Sequence, residues 1–151
     1  MTADATTRGA LDVAFREIVD GDVEEVVALW EACGLTRPWN DPHVDLADAR
    51  RTPTSTVLVG LSGARVVSSV VAGYDGHRGW LYYVAVAPAQ QATGVGRATV
   101  EAAEAWLRAA GARKVQLMVR ATNAQVVGFY ERLGYADQET VVLGKRFDGS
   151  R

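Results

Sequence analysis

Three apolar, β-branched runs follow one another between Thr56 and Ala87 with only two short turns between them, which leaves the chain few ways to fold. The runs are Thr56 to Leu61, Ala64 to Tyr74 and Trp80 to Ala87. Ser62-Gly63 separates the first pair, and the glycine-bounded Asp75-Gly76-His77-Arg78-Gly79 separates the second. Turns this short permit antiparallel hairpins only, because a parallel connection needs a crossover of a dozen or more residues. The spacing predicts an antiparallel meander at the centre of the chain.

The flanks carry helical periods and further strands. Val13 to Ile18 reads as a first strand. Asp20 or Asp22 caps a helix on which Val23, Val26, Val27 and Trp30 recur at helical spacing, and Gly34 stops it. Leu35 to Pro42 is a loop with two prolines, and a mainly polar helix is expected over His43 to Arg51. After the meander, Pro88 ends the third run and a polar, glycine-containing loop opens a long helix. Its stripe is Val100, Ala103, Leu107 and Ala110, and Gly111 ends it. Lys114 to Val119 reads as a strand, Ala124 to Leu133 as an amphipathic helix stopped by Gly134, and Val141 to Phe147 as a last strand. The order β, α, α, βββ, α, β, α, β is of the α/β (α+β) class, a mixed sheet with helices on both faces.

With 151 residues, 48% of them hydrophobic and 23% charged, the chain fits one globular domain, here placed at 13–151. The polar, small-residue stretch 1–12 is expected to be flexible and has no apolar core of a secretion signal. A net charge of −2 lacks the basic excess that nucleic-acid binding needs, and no apolar run is long enough to suggest a membrane span. Cys33 is the only cysteine, so an intrachain disulfide is ruled out and a cysteine-based zinc site is not expected. The expectation is a cytoplasmic protein without a metal.

The segment richest in chemistry is Tyr82-Tyr83-Val84-Ala85-Val86-Ala87-Pro88, then Gln91-Ala92-Thr93-Gly94-Val95-Gly96-Arg97. A strand enters a loop, and the loop opens a helix. Free N–H groups at a helix start, next to residues without side chains, together with the helix dipole, make a seat for a phosphate or pyrophosphate. The same glycine pair also reads as a plain turn. No Gly-Lys-Ser/Thr follows, so it is not a P-loop, and a dinucleotide fingerprint would need three glycines in a parallel βαβ unit.

A second segment, Asn123-Ala124-Gln125-Val126-Val127-Gly128-Phe129-Tyr130-Glu131-Arg132-Leu133-Gly134-Tyr135, bears on the first. Together the two resemble the GNAT superfamily of acyl-CoA-dependent N-acetyltransferases. That family carries Gln/Arg-x-x-Gly-x-Gly/Ala after its fourth strand, complete here at Gln91, Gly94 and Gly96. It also carries Asn-x-x-Ala-x-x-Phe/Leu-Tyr-x-x-x-Gly-Phe on its fourth helix. That pattern is met at Asn123, Phe129, Tyr130 and Gly134, with Val126 for the usual Ala and Tyr135 for the usual Phe. Arg37-Pro38-Trp39-Asn40-Asp41-Pro42, Gly73 to Gly79 and Leu143-Gly144-Lys145-Arg146 resemble a bacterial subgroup of small stand-alone members. One departure stands out: Ala92 and Thr93 occupy positions that usually include Arg or Lys, leaving Arg97 as the nearest cation.

The resemblance implies a GNAT fold with a mixed, mostly antiparallel sheet of six to seven strands flanked by about four helices. It implies acetyl-CoA as cosubstrate and an amine acceptor of unknown identity, attacked directly in a ternary complex. Val84, Ala85 and Val86 would pair with the pantetheine arm, a backbone N–H there polarising the thioester. Gln91, Ala92, Thr93, Gly94, Val95, Gly96 and Arg97 would hold the pyrophosphate, Asn123 would lie near the pantetheine, and Tyr130 would protonate the departing sulfur. Family members often associate through late strands or helices, so the resemblance also suggests a homodimer.

Each role has a plainer reading beside it. Tyr130 also reads as an aromatic packing helix on sheet, and Val84 and Val86 as core. No carboxylate lies on the fourth strand, so the base falls to Asp75 or His77 at the preceding turn, or to water; His77 has a suitable intrinsic pKa of roughly 6.5, while Asp75 also suits an Asx-turn. Trp39, Asn40 and Asp41 lie in the loop that roofs the acceptor site by family analogy. Asp41 would bind an ammonium group or cap the next helix. A non-catalytic acyl-CoA-binding regulatory module on the same fold is the alternative to an enzyme.

Overall fold

The meander forms as the turn spacing requires. In the computed structural model, which describes residues 11–149, strands β2 (Ser55–Ser62), β3 (Arg65–Tyr74) and β4 (Gly79–Val86) pair antiparallel in sequence order. Strand β1 (Ala14–Glu17) adds antiparallel to β2, and β5 (Val115–Leu117) adds parallel to β4. The expected flexible segment lies, apart from Leu11 and Asp12, outside the described residues.

Helices α1 (Val23–Ala32) and α2 (Pro42–Arg51) cover one face of the sheet, and α3 (Val95–Ala110) and α4 (Ala124–Arg132) the other. The first core centres on fully buried Trp30, with Val26, Leu46, Val57 and Val59 around it. Trp30 donates its indole N–H to Ser69 Oγ at 2.9 Å, so the buried polar edge is satisfied. In the second core Val100, Ala103 and Leu107 of the predicted α3 stripe are completely buried against β3 and β4, while Ala110, its fourth member, is exposed at the helix end. Burying a side chain such as Leu107 contributes roughly 1.5–3 kcal/mol.

Three expectations change. Among the described residues the sheet has five strands, not six or seven. Residues Val141 to Phe147 form no strand: Val141, Leu143 and Phe147 are 84%, 90% and 94% exposed, and no ladder joins them to the sheet. The chain turns away at Glu139, whose φ is +52° and whose N–H is taken by Asp137 Oδ1 at 2.8 Å. The expected Lys114–Val119 strand shrinks to Val115–Leu117 because β4 offers it partners only from Gly79 to Leu81.

Candidate active site

The gap between β4 and β5 begins where their ladder stops. Beyond Leu81 and Leu117 no pairing joins them, yet β4 continues to Val86. On its other side Ala85 and Val86 stay paired to Ser69 and Ser68. The Ala87 N–H is taken by Val67 O at 2.8 Å, so strand alternation turns the Val86 N–H to the open edge. An extended acyl chain can therefore use this edge as a template.

A bulge falls at the mouth of the gap. Two β3 steps, Ser69 to Val71, face three β4 steps, Tyr82 to Ala85, and Tyr83 takes φ +49°. Its ring stacks on Trp30 with centroids 3.9 Å apart and planes within 8°. Its hydroxyl donates to Asp45 Oδ2 at 2.6 Å. Burial and that hydrogen bond push the Tyr83 pKa well above its ordinary value, so the phenol stays neutral. Asp45 lies in the first turn of α2, a helix anchored by buried Leu46. The sequence reading missed this carboxylate, which lies 38 positions from its tyrosine.

Next comes the glycine loop. Pro88–Gln90 makes one 3₁₀ turn, and Ala92 and Gly94 then adopt φ of +61° and +92°. Gly94 is the N-cap of α3 and supplies no capping side chain, so the N–H groups of the first turn are left for an outside acceptor. Gly96 serves close packing: a Cβ there would sit 3.2 Å from Phe129 Cζ and 3.6 Å from Val86 Cγ2. That contact ties together the end of β4, the start of α3 and the α4 residue adjoining Tyr130. Gln91 Nε2 donates to Val86 O at 3.2 Å, and the Thr93 hydroxyl donates to Gln90 O. Arg97 is engaged with Glu101 at 3.0 Å.

Tyr130 is the one buried residue of α4, in edge contact with Phe129 and Tyr135. Burial pushes its pKa up to about 12, which keeps the hydroxyl protonated and able to donate. Asn123 caps α4, its Oδ1 accepting from Val126 N–H at 3.3 Å. Cys33 donates its thiol to Val86 O at 3.2 Å, and burial raises its pKa, so it is a packed thiol rather than a thiolate.

The remaining expected residues fall in two places. Asp41 caps α2, accepting from His43 and Val44 N–H. Trp39 is 46% exposed, and its carbonyl accepts from Arg146 at 3.0 Å, while Asn40 Oδ1 accepts from the same guanidinium at 3.4 Å. Asp75 is engaged in its turn by the N–H groups of His77 and Arg78 and by Trp80 Nε1, which hold its pKa below the usual carboxylate range. Both Asp75 and His77 precede Gly79. Five strand residues at roughly 3.3 Å each separate that end of β4 from Val84. A cleft of about 790 Å³ takes in Tyr130 but no residue of 82–97; it follows the outer edge of β5.

A profile of the Acetyltransferase (GNAT) family matches residues 23–135, which span the bulge, the glycine loop and Tyr130. The chain belongs to the GNAT acetyltransferase family. It is similar to an acetyltransferase of Yersinia pestis (strain Pestoides F), 44% identical over 125 residues that cover 83% of this chain and 89% of that one. Its fold is similar to that of AAC(6')-Iy, solved in complex with the bisubstrate analog CoA-S-monomethyl-acetylneamine. That likeness has a TM-score of 0.76 at 15% identity and covers 89% and 97% of the two chains. An aminoglycoside acetyltransferase from an uncultured soil metagenomic sample, in complex with sisomicin, matches with a TM-score of 0.72 at 17% identity over 89% and 95%. This GNAT protein is thus an acyltransferase. Among its described residues no group of three or more His, Cys, Asp and Glu could hold a metal ion, and no helix is long and apolar enough to cross a membrane.

Proposed function

We propose that this protein transfers the acetyl group of acetyl-CoA to a primary amine by direct attack in a ternary complex. The observation that carries the reading is the unpaired edge of β4 beyond Leu81, which leads through the glycine loop to the uncapped start of α3. In this reading Val84 to Val86 pair with the pantetheine, and the N–H groups of 91–97 hold the pyrophosphate. A backbone N–H on the open edge stabilises the oxyanion that develops when the amine nitrogen bonds to the carbonyl carbon. As the C–S bond breaks, Tyr130 gives its proton to the departing sulfur, the new amide nitrogen sheds its extra proton to solvent, and solvent returns a proton to the Tyr130 oxygen. Asn123 flanks the pantetheine through its amide nitrogen.

On the acceptor side the Tyr83 hydroxyl fixes Asp45, and Oδ1 of Asp45 receives no hydrogen bond from any described residue. That oxygen holds the acceptor ammonium group and passes its proton to solvent before attack, beneath the roof of Trp39 and Asn40. Asp75 and His77, the carboxylate and imidazole anticipated for this task, sit at the opposite end of β4, and Asp75 has its oxygens engaged. Asp41, likewise anticipated here, has its carboxylate at the α2 cap. The acceptor is a small molecule, an amino acid or a protein amine.

The absence of a cationic side chain at Ala92 and Thr93, with Arg97 paired to Glu101, favours a second reading as an acyl-CoA-binding regulatory module. One experiment separates the two. Calorimetric titration with acetyl-CoA should show saturable binding, lost in Gly96→Glu, and thiol release should follow addition of primary amines. Binding without thiol release across an amine panel supports the module; no binding to folded protein removes both.

A further inference from the structure

Two segments far apart in the chain, Arg37 to Pro42 and Leu143 to Arg146, meet through one side chain. Arg146 Nη2 donates to Trp39 O, 107 positions away, at 3.0 Å, and Nη1 donates to Asn40 Oδ1 at 3.4 Å. Its Nε and Nη2 also donate to the two oxygens of Asp148, at 3.0 and 2.6 Å. The roof of the acceptor side thus carries a guanidinium. Arg37, the cation within the roof loop itself, is turned onto that loop's own carbonyls, Gly34 O and Thr36 O, both at 2.8 Å.

The guanidinium and the acceptor carboxylate flank the same helix turn. Asp45 N–H bonds to Asp41 O at 3.0 Å, one residue past the Asn40 that Arg146 holds, and Tyr83 fixes the Asp45 side chain. The hydrogen bonds to Asp148, foremost, and the charges of Asp148 and Asp45 raise the Arg146 pKa, so the group stays cationic. A positive and a negative group therefore stand together at the acceptor side.

The contact with Asp148 shows what this guanidinium can hold. Nε and Nη2 gripping two oxygens is the two-point geometry by which arginine recognises carboxylates. Here the carboxylate comes from the chain itself, two residues on. The Asp148 side chain is 60% exposed, so the pair is a surface contact of small net strength and an outside carboxylate can exchange for it. A plain amine would engage Asp45 alone. An amino acid offers an ammonium group to Asp45 and a carboxylate to Arg146.

We propose that the acceptor is an amino acid whose amine is held by Asp45 and whose carboxylate takes the place of Asp148 on Arg146. The inference rests on the transferase reading above, with Asp45 on its acceptor side. It makes Arg146 the residue that selects amino-carboxylates over plain amines.

The test compares each amino acid with its own carboxamide, which keeps the amine and loses the negative charge. Thiol release from acetyl-CoA is followed with glycine, alanine, leucine, phenylalanine, β-alanine and 4-aminobutyrate, each beside its amide. For the native protein, kcat/KM for at least one acid should exceed that for its amide by about tenfold or more, as a charge-assisted two-point contact implies. Arg146→Gln should bring that ratio close to one, and Arg146→Lys, which keeps the charge without the fork, should restore part of it. Asp148→Asn removes the resident carboxylate and should raise the ratio several-fold. A merely structural Arg146 is told apart, because a loosened roof would slow acid and amide together and leave their ratio. Amides accepted as well as acids by the native protein, a ratio that survives Arg146→Gln, or one that does not rise in Asp148→Asn each overturns the proposal. In all three cases thiol release continues and the transferase reading stands. No thiol release with any amine removes that reading, and this proposal with it.

Discussion

Strands β2 and β3 lie beneath helices on both faces and bury Val57, Val59, Val70 and Ala72 almost completely. Strand β5, three residues long, leaves Val115 and Leu117 half-buried, and α4 beside it buries only Tyr130. The difference lies in what each region must do. The first holds a scaffold by close packing. Among the described residues the second leaves backbone edges unpaired, along β4 beyond Leu81 and along the outer side of β5. The candidate site sits on β4, the boundary, where one edge is fixed by β3 and the other is free.

The sharpest way to break this comparison is to cut a side chain from each region. Trp30→Ala removes the centre of the first core, the hydrogen bond to Ser69 and the platform under Tyr83, and should cost about 3–5 kcal/mol in denaturant unfolding. Val142→Ala should change unfolding at low protein concentration by less than about 0.5 kcal/mol. Equal losses would mean that the two regions are not differently closed.

Next in size is Tyr130→Phe. Turnover should fall by about 10²-fold or more while acetyl-CoA affinity, measured by calorimetry, stays nearly unchanged. With the pKa pushed up to about 12, the hydroxyl should remain protonated, so no alkaline limb attributable to Tyr130 is expected below about pH 11. Unchanged turnover would assign Tyr130 to packing alone.

Asp45→Asn should raise the KM for the acceptor several-fold with little change in acetyl-CoA affinity. Tyr83→Phe should do so less, because it loosens the carboxylate without removing it, at a stability cost of about 1 kcal/mol for one hydrogen bond. Steady-state kinetics with the amine varied would read both, and an unaltered KM in Asp45→Asn would move the acceptor away from this carboxylate.

The smallest effect concerns Asp22, which accepts from Arg16 at 2.6 and 3.1 Å and from Val19 N–H at 2.9 Å. The Arg16 hydrogen bonds, foremost, hold its pKa below the usual carboxylate range. A lowered folded pKa gives stability that is present above the unfolded value, about 3.9, and is lost as pH falls through the folded one. Asp22→Asn should therefore lower the unfolding midpoint at pH 7, and the two proteins should converge in strong acid. A difference that persists there would mean that the pair acts through packing.

Much of the scaffold was legible in the residues because its signals are local. Short turns dictated the meander, and the Val100, Ala103, Leu107 stripe dictated which face of α3 is buried. Gly94 marked the turn into α3 by its need for a positive φ. The site was less legible where its signals are not local. Asp45 looked like one polar residue on a polar helix, and only the packing of α2 on the sheet brings it to Tyr83. Ala92 and Tyr83 take positive φ without being glycine, so nothing in the sequence marked either bend. The Val141 to Phe147 run has strand chemistry, but composition supplies no edge to pair with, and among the described residues it pairs with none.

The bulge at Tyr83 also resets the phase of β4. Before it, Leu81 points into the α3–α4 core; two residues later Tyr83 packs into the α1–α2 core, as do Ala85 and Ala87, while Val84 packs into the other. Were the same residues to run as a regular strand with no bulge, the pleat would send Ala85 to the same side as Leu81 and exchange the two environments for the rest of the strand. A deletion at Tyr83 would instead remove the extra residue and set two β4 steps against the two β3 steps from Ser69 to Val71, so Val84 and Ala85 would keep their sides while the ring stacked on Trp30 is lost. An insertion there, with the bulge kept, would reverse the inside and outside of everything up to Pro88, so the two length variants at one position should behave as different classes of damage.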